Sequence, residues 1–333
     1  MQKQTKSIAT IVDLASYLPK KVLSNTDLEK MVETSDEWIV SRTGIQERRI
    51  AAPEETTSDM GANAAFTLLE RLGKSPDEIE FILVATMTPD YICPSTAALV
   101  QAKLGAKNAG ALDIQAACSG FIYGLSVAKA FIESGIYKNV LFIASEKMSA
   151  FVDYSDRNTC ILFGDGASAV WIDGSSKGLL IESVSMGADG SHPTLAWVPA
   201  GGVKKPATTE TLLQKEHYFK MEGKELFKHA VRRMSSAAES CLKQNGITLA
   251  DISWVVPHQA NARILEAVAK AFSVDPEKVY RTVHKFGNTS ASSIPLALDE
   301  LLHVQDVKTG SNILLAAFGA GLTWGAALLR KKT

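Results

Sequence analysis

Two kinds of hydrophobic pattern alternate along this chain. Short, continuously apolar runs are followed by longer segments in which apolar positions recur at helical spacing. Strands without polar alternation are typical of sheets that are covered on both faces. The predicted strands are FILVAT (81–86), GALDIQA (110–116), NVLFIAS (139–145), AVWID (169–173), LLIESVSMG (179–187), SWVV (253–256) and a Gly-broken pair within NILLAAFGAGLTWGAALLR (312–330).

The longer segments predict helices between these strands. They are STAALVQAKLG (95–105), GFIYGLSVAKAFIESG (120–135), KELFKHAVRRMSSAAESCLKQNG (224–246), ANARILEAVAKAF (260–272) and TSASSIPLALDELLH (289–303). Gly246 ends the third of them, as glycine commonly does. The alternation favours an α/β layered fold.

The second part of the chain repeats the style of the first. DIQAACSGFIYGL (113–125) and WVVPHQANARILEA (254–267) are interpreted as equivalent corners between a strand and a helix. We therefore expect two similar halves, residues 1–178 and 179–333, with a ligand pocket between them.

Composition narrows the class of protein. The chain has 333 residues, 46% of them hydrophobic, and a formal net charge of -1, so its global charge does not attract nucleic acid or an anionic membrane. Its apolar runs fall short of the roughly 18 residues of a membrane span, and its start lacks a signal-peptide pattern. The four cysteines are scattered and lack C-x-x-C spacing, which favours a reduced protein. Together these features predict a soluble, cytoplasmic protein that binds neither nucleic acid nor a membrane.

Three polar residues stand at small-residue corners: Cys118, His258 and Asn288. Each has a structural alternative, as a packed cysteine, a hydrogen-bonded core histidine or a turn asparagine. Together they form a set suited to nucleophilic catalysis. A cysteine just before a helix would have its thiolate favoured by the first-turn N–H groups.

The motifs around these residues resemble one family, the β-ketoacyl-acyl carrier protein synthases III of the thiolase superfamily. The resemblance covers nearly the whole chain in the family's order. Its motifs are SDEWIVSRTGIQERR (35–49), AACSGFIYGL (116–125), DRNTCILFGDGASA (156–169), VPHQANARI (256–264), KFGNTSASSIP (285–295) and AAFGAGLTWGAALL (316–329).

This resemblance implies a five-layered α/β/α/β/α fold from two duplicated halves and a homodimer. It implies an acyltransferase that initiates type II fatty acid biosynthesis. An acyl-CoA primer, usually acetyl-CoA, acylates Cys118, and malonyl-acyl carrier protein then decarboxylates and condenses with it. No metal or redox cofactor is expected. A related condensing enzyme of secondary metabolism, dependent on CoA or a carrier protein, is the alternative.

Site residues follow from the matching motifs. Cys118, His258 and Asn288 are the catalytic set, with the last two donating hydrogen bonds to the malonyl thioester oxygen. The backbone N–H groups of Cys118 and Ala320 would form the oxyanion hole. Many relatives have glycine in place of Ala320, so its backbone must avoid positive φ.

Substrate-binding residues are carried over in the same way. Trp38, Arg42 and Arg157 would hold the CoA adenine, and Asn261 would contact the pantetheine amides. Because carrier proteins are acidic, the predicted docking cations are Lys228, Arg232, Arg233 and Arg263. Ordinary solvated helix faces are the alternative for these four residues.

Cys93 departs from the family pattern. Many relatives carry a bulky aromatic residue there, which reaches across the dimer and limits the primer pocket. The smaller side chain predicts room for a longer or branched primer, although a neighbour such as Ile92 could refill the space.

Other classes of protein explain the chain less well. LGKSP contains Lys74 and Ser75, but a P-loop would need glycine where Leu68 stands. FGDGASA (163–169) is interpreted as a tight turn that lines the substrate tunnel. A cysteine peptidase would use the same catalytic residues, and a non-catalytic CoA-binding module would leave Cys118 unacylated.

Overall fold

The predicted alternation of strands and helices is present in the chain, which a computed structural model describes over residues 8–332. The strands are β1 (Thr10–Tyr17), β2 (Lys21–Ser24), β3 (Glu47–Ile50), β4 (Phe81–Ala85), β5 (Gly110–Ile114), β6 (Asn139–Lys147), β7 (Asp165–Asp173), β8 (Leu179–Ala188), β9 (Ala196–Trp197), β10 (Lys220–Met221), β11 (Ile252–Pro257), β12 (Asn312–Gly319) and β13 (Thr323–Lys331). The helices are α1 (Asn25–Leu28), α2 (Asp36–Thr43), α3 (Thr57–Leu72), α4 (Thr96–Leu104), α5 (Gly120–Ser134), α6 (Arg157–Cys160), α7 (Thr209–Leu213), α8 (Gly223–Gln244), α9 (Ala262–Ala271), α10 (Val283–Phe286) and α11 (Ser293–Val304).

One mixed sheet joins the two parts of the chain. Its hydrogen-bonded order is β11-β12-β13-β8-β1-β7-β6-β4-β5. The parts meet where β1 pairs with β8, through Thr10 opposite Leu180 and Ile11 opposite Leu179. Strands before residue 179 lie on one side of this seam and later strands on the other, while the division into two domains stays a prediction.

The pairing pattern repeats across the seam. β1, β7 and β6 pair antiparallel in succession, and β6 pairs parallel with β4. β8, β13 and β12 likewise pair antiparallel, and β12 pairs parallel with β11. This repetition is the duplication that the sequence predicts.

Helices cover the strands in three layers. α3 and α4 pack outside the strands of the first part, and α8 packs outside those of the second. α5 contacts β4, β6 and β7 of the first part and β8, β12 and β13 of the second, and α11 lies beside it. The strands before the seam form one layer and those after it form another, with α5 and α11 between them. With the outer helices on each side, the fold has the expected five layers.

The predicted equivalence of two corners is wrong. In the repeated pattern β4 corresponds to β11, so the corner after β11 that carries His258 corresponds to residues 86–88. The corner of Cys118 precedes α5, and its counterpart is the turn at residues 290–292 that precedes α11. The pairing order of the strands shows this, whereas the apolar pattern looks alike at every corner.

The described residues contain no helix that is both long enough and apolar enough to cross a membrane.

A glycine inside α5 allows close packing against β6. Phe121 stacks on Phe142 with ring centroids 5.2 Å apart. A Cβ built at Gly124 would overlap the end of the buried Phe142 ring. The absent side chain at this position therefore sets the distance between the central helix and the sheet.

We predict that Gly124→Ala destabilises the protein by about 1–3 kcal/mol, because overpacking outweighs the better helix propensity of alanine. Urea unfolding measures the change. Gly190→Ala is the matched control, since a Cβ there meets nothing within 4 Å. Equal midpoints for the two variants would contradict the packing argument.

Candidate active site

Cys118, His258 and Asn288 line one cavity, although they come from three distant segments of the chain. Cys118 lies between β5 and α5, His258 follows β11, and Asn288 lies between α10 and α11. The empty volume of the cavity is about 830 Å³. Most of its remaining wall is apolar and includes Met87, Leu162, Phe163, Phe219, Met221, Leu226, Met234, Ile264 and Phe318.

A tight turn presents Cys118 to this cavity. Ala117–Ser119 form a 3-10 turn that leads directly into α5, as the motif predicts. Ala117 has left-handed backbone, with φ 45°. Such a conformation is strained in a residue with a Cβ and is found where the surrounding structure enforces it.

Gly319 and Ala320 lie against the same turn. A Cβ built at Gly319 would come within 2.8 Å of the Cys118 amide nitrogen, so glycine is required by close approach. Ala320 lines the cavity, and its φ is not positive. This is the backbone conformation that an alanine at this position requires. The Thr323 hydroxyl donates to the Ala116 carbonyl at 2.9 Å and lies 3.0 Å from that of Ala320, which ties the two segments together.

The ionisation of Cys118 differs from the expectation. Burial raises the pKa of the thiol to about 12, a hydrogen bond from Ser290 to the thiolate opposes this, and the nearby Glu146 carboxylate adds to it. The helix start alone predicts the opposite shift. The dominant cause is burial, because removing a thiolate from water disfavours the charged form.

His258 is held as a neutral imidazole. Its backbone N–H donates to the Ala316 carbonyl at 2.8 Å, and its Nδ1 lies 2.7 Å from Ser293 Oγ. Ser293 Oγ also accepts from the Gln259 N–H at 3.3 Å, and we assign its own proton to Nδ1, which places the ring proton on Nε2. Burial lowers the pKa of His258 to about 4.

Asn288 is fixed by backbone bonds to the segment before β7. Its N–H donates to the Leu162 carbonyl at 2.8 Å, and its carbonyl accepts from Gly164 at 3.1 Å. Its side-chain Oδ1 accepts from the Ser290 N–H at 2.9 Å, so the Nδ2 amide remains as the donor. Phe163 lines the cavity beside it, but the prediction of a tight turn over FGDGASA is wrong, because β7 already begins at Asp165.

Trp38, Arg42 and Arg157 are brought together in space. The Arg157 guanidinium lies 4.7 Å from the centre of the Trp38 ring, and that of Arg42 lies 5.7 Å from it. Gly44 ends α2 with left-handed backbone, and its missing Cβ would stand 2.5 Å from the Cβ of Ala262. α2 therefore packs tightly on the start of α9.

Asn261 lines the cavity and also caps α9. Its Oδ1 accepts from the Ile264 N–H at 3.0 Å, a role that the sequence analysis did not assign to it. The exposed Arg263 is beside it and donates to the Ser41 carbonyl at 3.3 Å.

Three of the four predicted docking cations are exposed. Lys228 pairs with Glu225 at 2.7 Å, while Arg232 and Arg263 also face solvent. The fourth, Arg233, is partly exposed, and its charge is paired within the chain. It pairs with Asp189 at 3.0 Å and stacks 4.2 Å from the centre of the Trp324 ring, so it is not a free surface charge.

Cys93 is exposed and does not line the cavity of its own chain. The expectation for its effect on the primer pocket concerns a partner subunit and stays a prediction.

Glu146 is a buried acid at the site that the sequence analysis missed. It lies at the end of β6, inside NVLFIASEK, where the strand pattern alone draws no attention to it. Its carboxylate accepts hydrogen bonds from the hydroxyls of Thr86, Thr88 and Ser290 and from the N–H groups of Met87 and Ala291. Burial raises its pKa to about 7.

Both parts of the chain match models of one protein family, and known proteins match it over nearly its full length. Family models described as 3-Oxoacyl-[acyl-carrier-protein (ACP)] synthase III match residues 112–190 and, for the C-terminal part, residues 242–331. A relative from Chlamydia caviae named Beta-ketoacyl-[acyl-carrier-protein] synthase III is 57% identical over 97% of each chain.

Solved structures agree with this match. The crystal structure of 3-oxoacyl-[acyl-carrier-protein] synthase III from Aquifex aeolicus is 48% identical, covers 97% of this chain and 99% of its own, and superposes with a TM-score of 0.88. A priming beta-ketosynthase from the R1128 polyketide pathway is 34% identical over 100% and 99% of the two chains, with a TM-score of 0.90. The chain belongs to the β-ketoacyl-acyl carrier protein synthase III family, whose members are acyl-transferring condensing enzymes of fatty acid biosynthesis.

Proposed function

We propose that this chain condenses an acyl-CoA primer with malonyl-acyl carrier protein through an acyl thioester on Cys118. The observation that supports this most is the convergence of Cys118, His258 and Asn288 on one apolar cavity. Acetyl-CoA is the proposed primer. The reaction transfers acyl groups and loses carbon dioxide without net oxidation or reduction, so we propose that it needs neither a redox cofactor nor a metal.

In the first stage the Cys118 sulfur attacks the primer carbonyl and coenzyme A leaves as its thiolate. The tetrahedral oxyanion receives hydrogen bonds from the backbone N–H groups of Cys118 and Ala320. The approach of Gly319 to the Cys118 amide supports this pairing, because it brings the two backbone segments within contact distance.

In the second stage the malonyl thioester loses carbon dioxide and its enolate attacks the acyl group on Cys118. His258 Nε2 and Asn288 Nδ2 donate to the enolate oxygen. A neutral imidazole suits this role, since its fixed N–H dipole needs no ionisation step at neutral pH. The apolar cavity disfavours the charged carboxylate and so assists its loss.

CoA and the carrier protein would bind at the cavity mouth. Trp38 and Arg157, with Arg42, form the adenine site, and the Asn261 side chain bonds a pantetheine amide. Lys228, Arg232 and Arg263 remain the proposed contacts for the acidic carrier protein.

A homodimer completes the proposal. β5 is an edge strand with Leu112 44% exposed, and Ile92 beside Cys93 is 91% exposed. An open strand edge and apolar side chains are typical of a surface that another chain covers. The partner would then bring Cys93 toward the primer pocket, and the dimer would act in the cytoplasm.

We expect the two stages to separate by mutation. Cys118→Ala should take up no label from radioactive acetyl-CoA. His258→Ala and Asn288→Ala should still become acetylated but lose about 100- to 1000-fold in condensation, because each removes one donor to the enolate oxygen. Mass spectrometry of the acetylated peptide and product formation from malonyl-acyl carrier protein measure the two stages.

Gln101→Ala, in α4 and outside the cavity wall, is a control that should keep both activities. Acetylation of the Cys118→Ala variant, or hydrolysis of amides by the unmodified chain, would contradict the proposed mechanism.

His258 should also make stability depend on pH. Its folded pKa of about 4 lies below its ordinary value of 6.5, so its contribution is complete above pH 6.5 and is lost as pH falls toward 4. We predict that the unfolding free energy of the unmodified chain, relative to His258→Gln, falls by about 3 kcal/mol over this range. Urea titrations at pH 7 and pH 4.5 test this; an unchanged difference would show that the imidazole is not buried in its neutral form.

The adenine site predicts a change in KM. Trp38→Ala should raise the KM for acetyl-CoA by about tenfold and leave kcat nearly unchanged, because cation–aromatic stacking of about 1 kcal/mol or more is removed from substrate binding alone. Trp38→Phe should retain most of the affinity. An equal loss of kcat in both variants would place Trp38 in the helix packing instead.

A further inference from the structure

The buried carboxylate of Glu146 has no role in the mechanism above, yet it is linked to the nucleophile. Ser290 Oγ donates to Glu146 Oε1 at 2.9 Å, and the turn that carries Ser290 packs against the turn that carries Cys118. The Ser290 hydroxyl lowers the pKa of the Cys118 thiol and the Glu146 carboxylate raises it, so both groups lie close to the sulfur. Ser290 is fully buried, and its left-handed backbone, with φ 52°, is held by its N–H bond to Asn288 Oδ1. The Ser290 hydroxyl therefore connects the carboxylate to the neighbourhood of the thiol.

We propose that Glu146 is a positioning residue that takes the thiol proton of Cys118 through the Ser290 hydroxyl when the sulfur attacks its electrophile. This inference rests on the proposed role of Cys118 as the nucleophile. The Cys118 S–H bond breaks as a proton passes to Ser290 Oγ, and the original Ser290 proton passes to Glu146. A sulfur–carbon bond forms to the primer, and coenzyme A leaves with the electron pair.

Hydrogen bonding gives the relay its direction. An ionised carboxylate can only accept, so the single Ser290 proton is directed to Glu146 and the thiol donates to Ser290. After transfer, the Ser290 proton faces the sulfur and stabilises the thiolate. When Cys118 is later released by the condensation step, the proton returns by the same route.

Charge balance supports the relay. The site holds one buried negative charge before transfer, on Glu146, and one after it, on the sulfur. Ionising Cys118 to solvent would instead place two negative charges close together in a medium of low polarity. Five hydrogen-bond donors stabilise the negative charge of the Glu146 carboxylate before the sulfur reacts.

Other titratable groups do not supply this proton path. Imidazole Nδ1 of His258 is bonded to Ser293. The ammonium of Lys147, next along β6, donates to the carbonyls of residues 52, 53 and 55. Asp165, opposite Lys147 in β7, accepts from Ser149 and Ala51. The hydrogen-bond donors to Glu146 are all uncharged. They are hydroxyl and N–H groups of residues 86–88, after β4, and of residues 290 and 291, before α11.

Alkylation by iodoacetamide tests the relay without CoA. The sulfur displaces iodide, and the thiol proton goes to Glu146 as in acylation. We expect the rate at Cys118 to rise with a midpoint near pH 7, as Glu146 becomes ionised, and to reach a plateau above that pH. Ser290→Ala and Glu146→Gln should abolish the plateau, giving a rate that rises throughout pH 6–9 and is about 100-fold lower at pH 7.

Ser292→Ala is the matched control, because this buried hydroxyl on the same turn donates to the Thr289 carbonyl and not to Glu146. It should keep the plateau, and Glu146→Asp should restore part of it. Peptide mass spectrometry resolves Cys118 from the exposed Cys93, which serves as the internal reference.

A plateau that persists in Ser290→Ala would overturn the relay, as would an unmodified chain without one. Parallel labelling with acetyl-CoA separates this result from the proposed function. Acetylation of the unmodified chain with no plateau rejects the relay alone, whereas a Ser290-dependent plateau without acetylation by any acyl-CoA rejects the proposed function alone.

Discussion

The contact between the turns that precede α5 and α11 is the constraint on which the site depends. Gly120 opens α5 so close to the other turn that an added Cβ would stand 3.2 Å from those of Ala291 and Ala85. Both turns carry a left-handed residue with a side chain, Ala117 at φ 45° and Ser290 at φ 52°. The strain is located where one half supplies Cys118 and the other supplies Asn288 and Ser290.

Burial is the largest cause of the pKa shifts of Cys118, Glu146 and His258. Burial holds His258 neutral and raises the pKa of Cys118. It also raises the pKa of Glu146, whose negative charge is stabilised by five hydrogen-bond donors. The cavity therefore offers oriented dipoles to a developing oxyanion rather than a permanent positive charge. Such dipoles need little reorganisation during the reaction and are effective where water is excluded.

Arginines show how far tertiary context changes the meaning of a residue type. Arg48 is fully buried and donates to the carbonyls of Leu23 and Ile161, next to the segment that holds Asn288. Arg233 is engaged by Asp189 and Trp324, while Arg232, one position earlier on α8, is exposed. Adjacent residues in a helix face different surroundings, because each residue is rotated by about 100° around the helix axis from the one before it.

The amino-acid sequence by itself determined the layered fold and most helices and strands after residue 80. It also grouped Cys118, His258 and Asn288, which line one cavity. Periodicity and local motifs carry that information. β1 and α3 were not predicted, although Thr56 and Gly73 mark the ends of α3. Only the tertiary structure decided which corners are equivalent, that Arg233 is paired with Asp189, and that Glu146 lies near Cys118. Pairing order and desolvation depend on contacts between residues far apart in the chain, which no local pattern records.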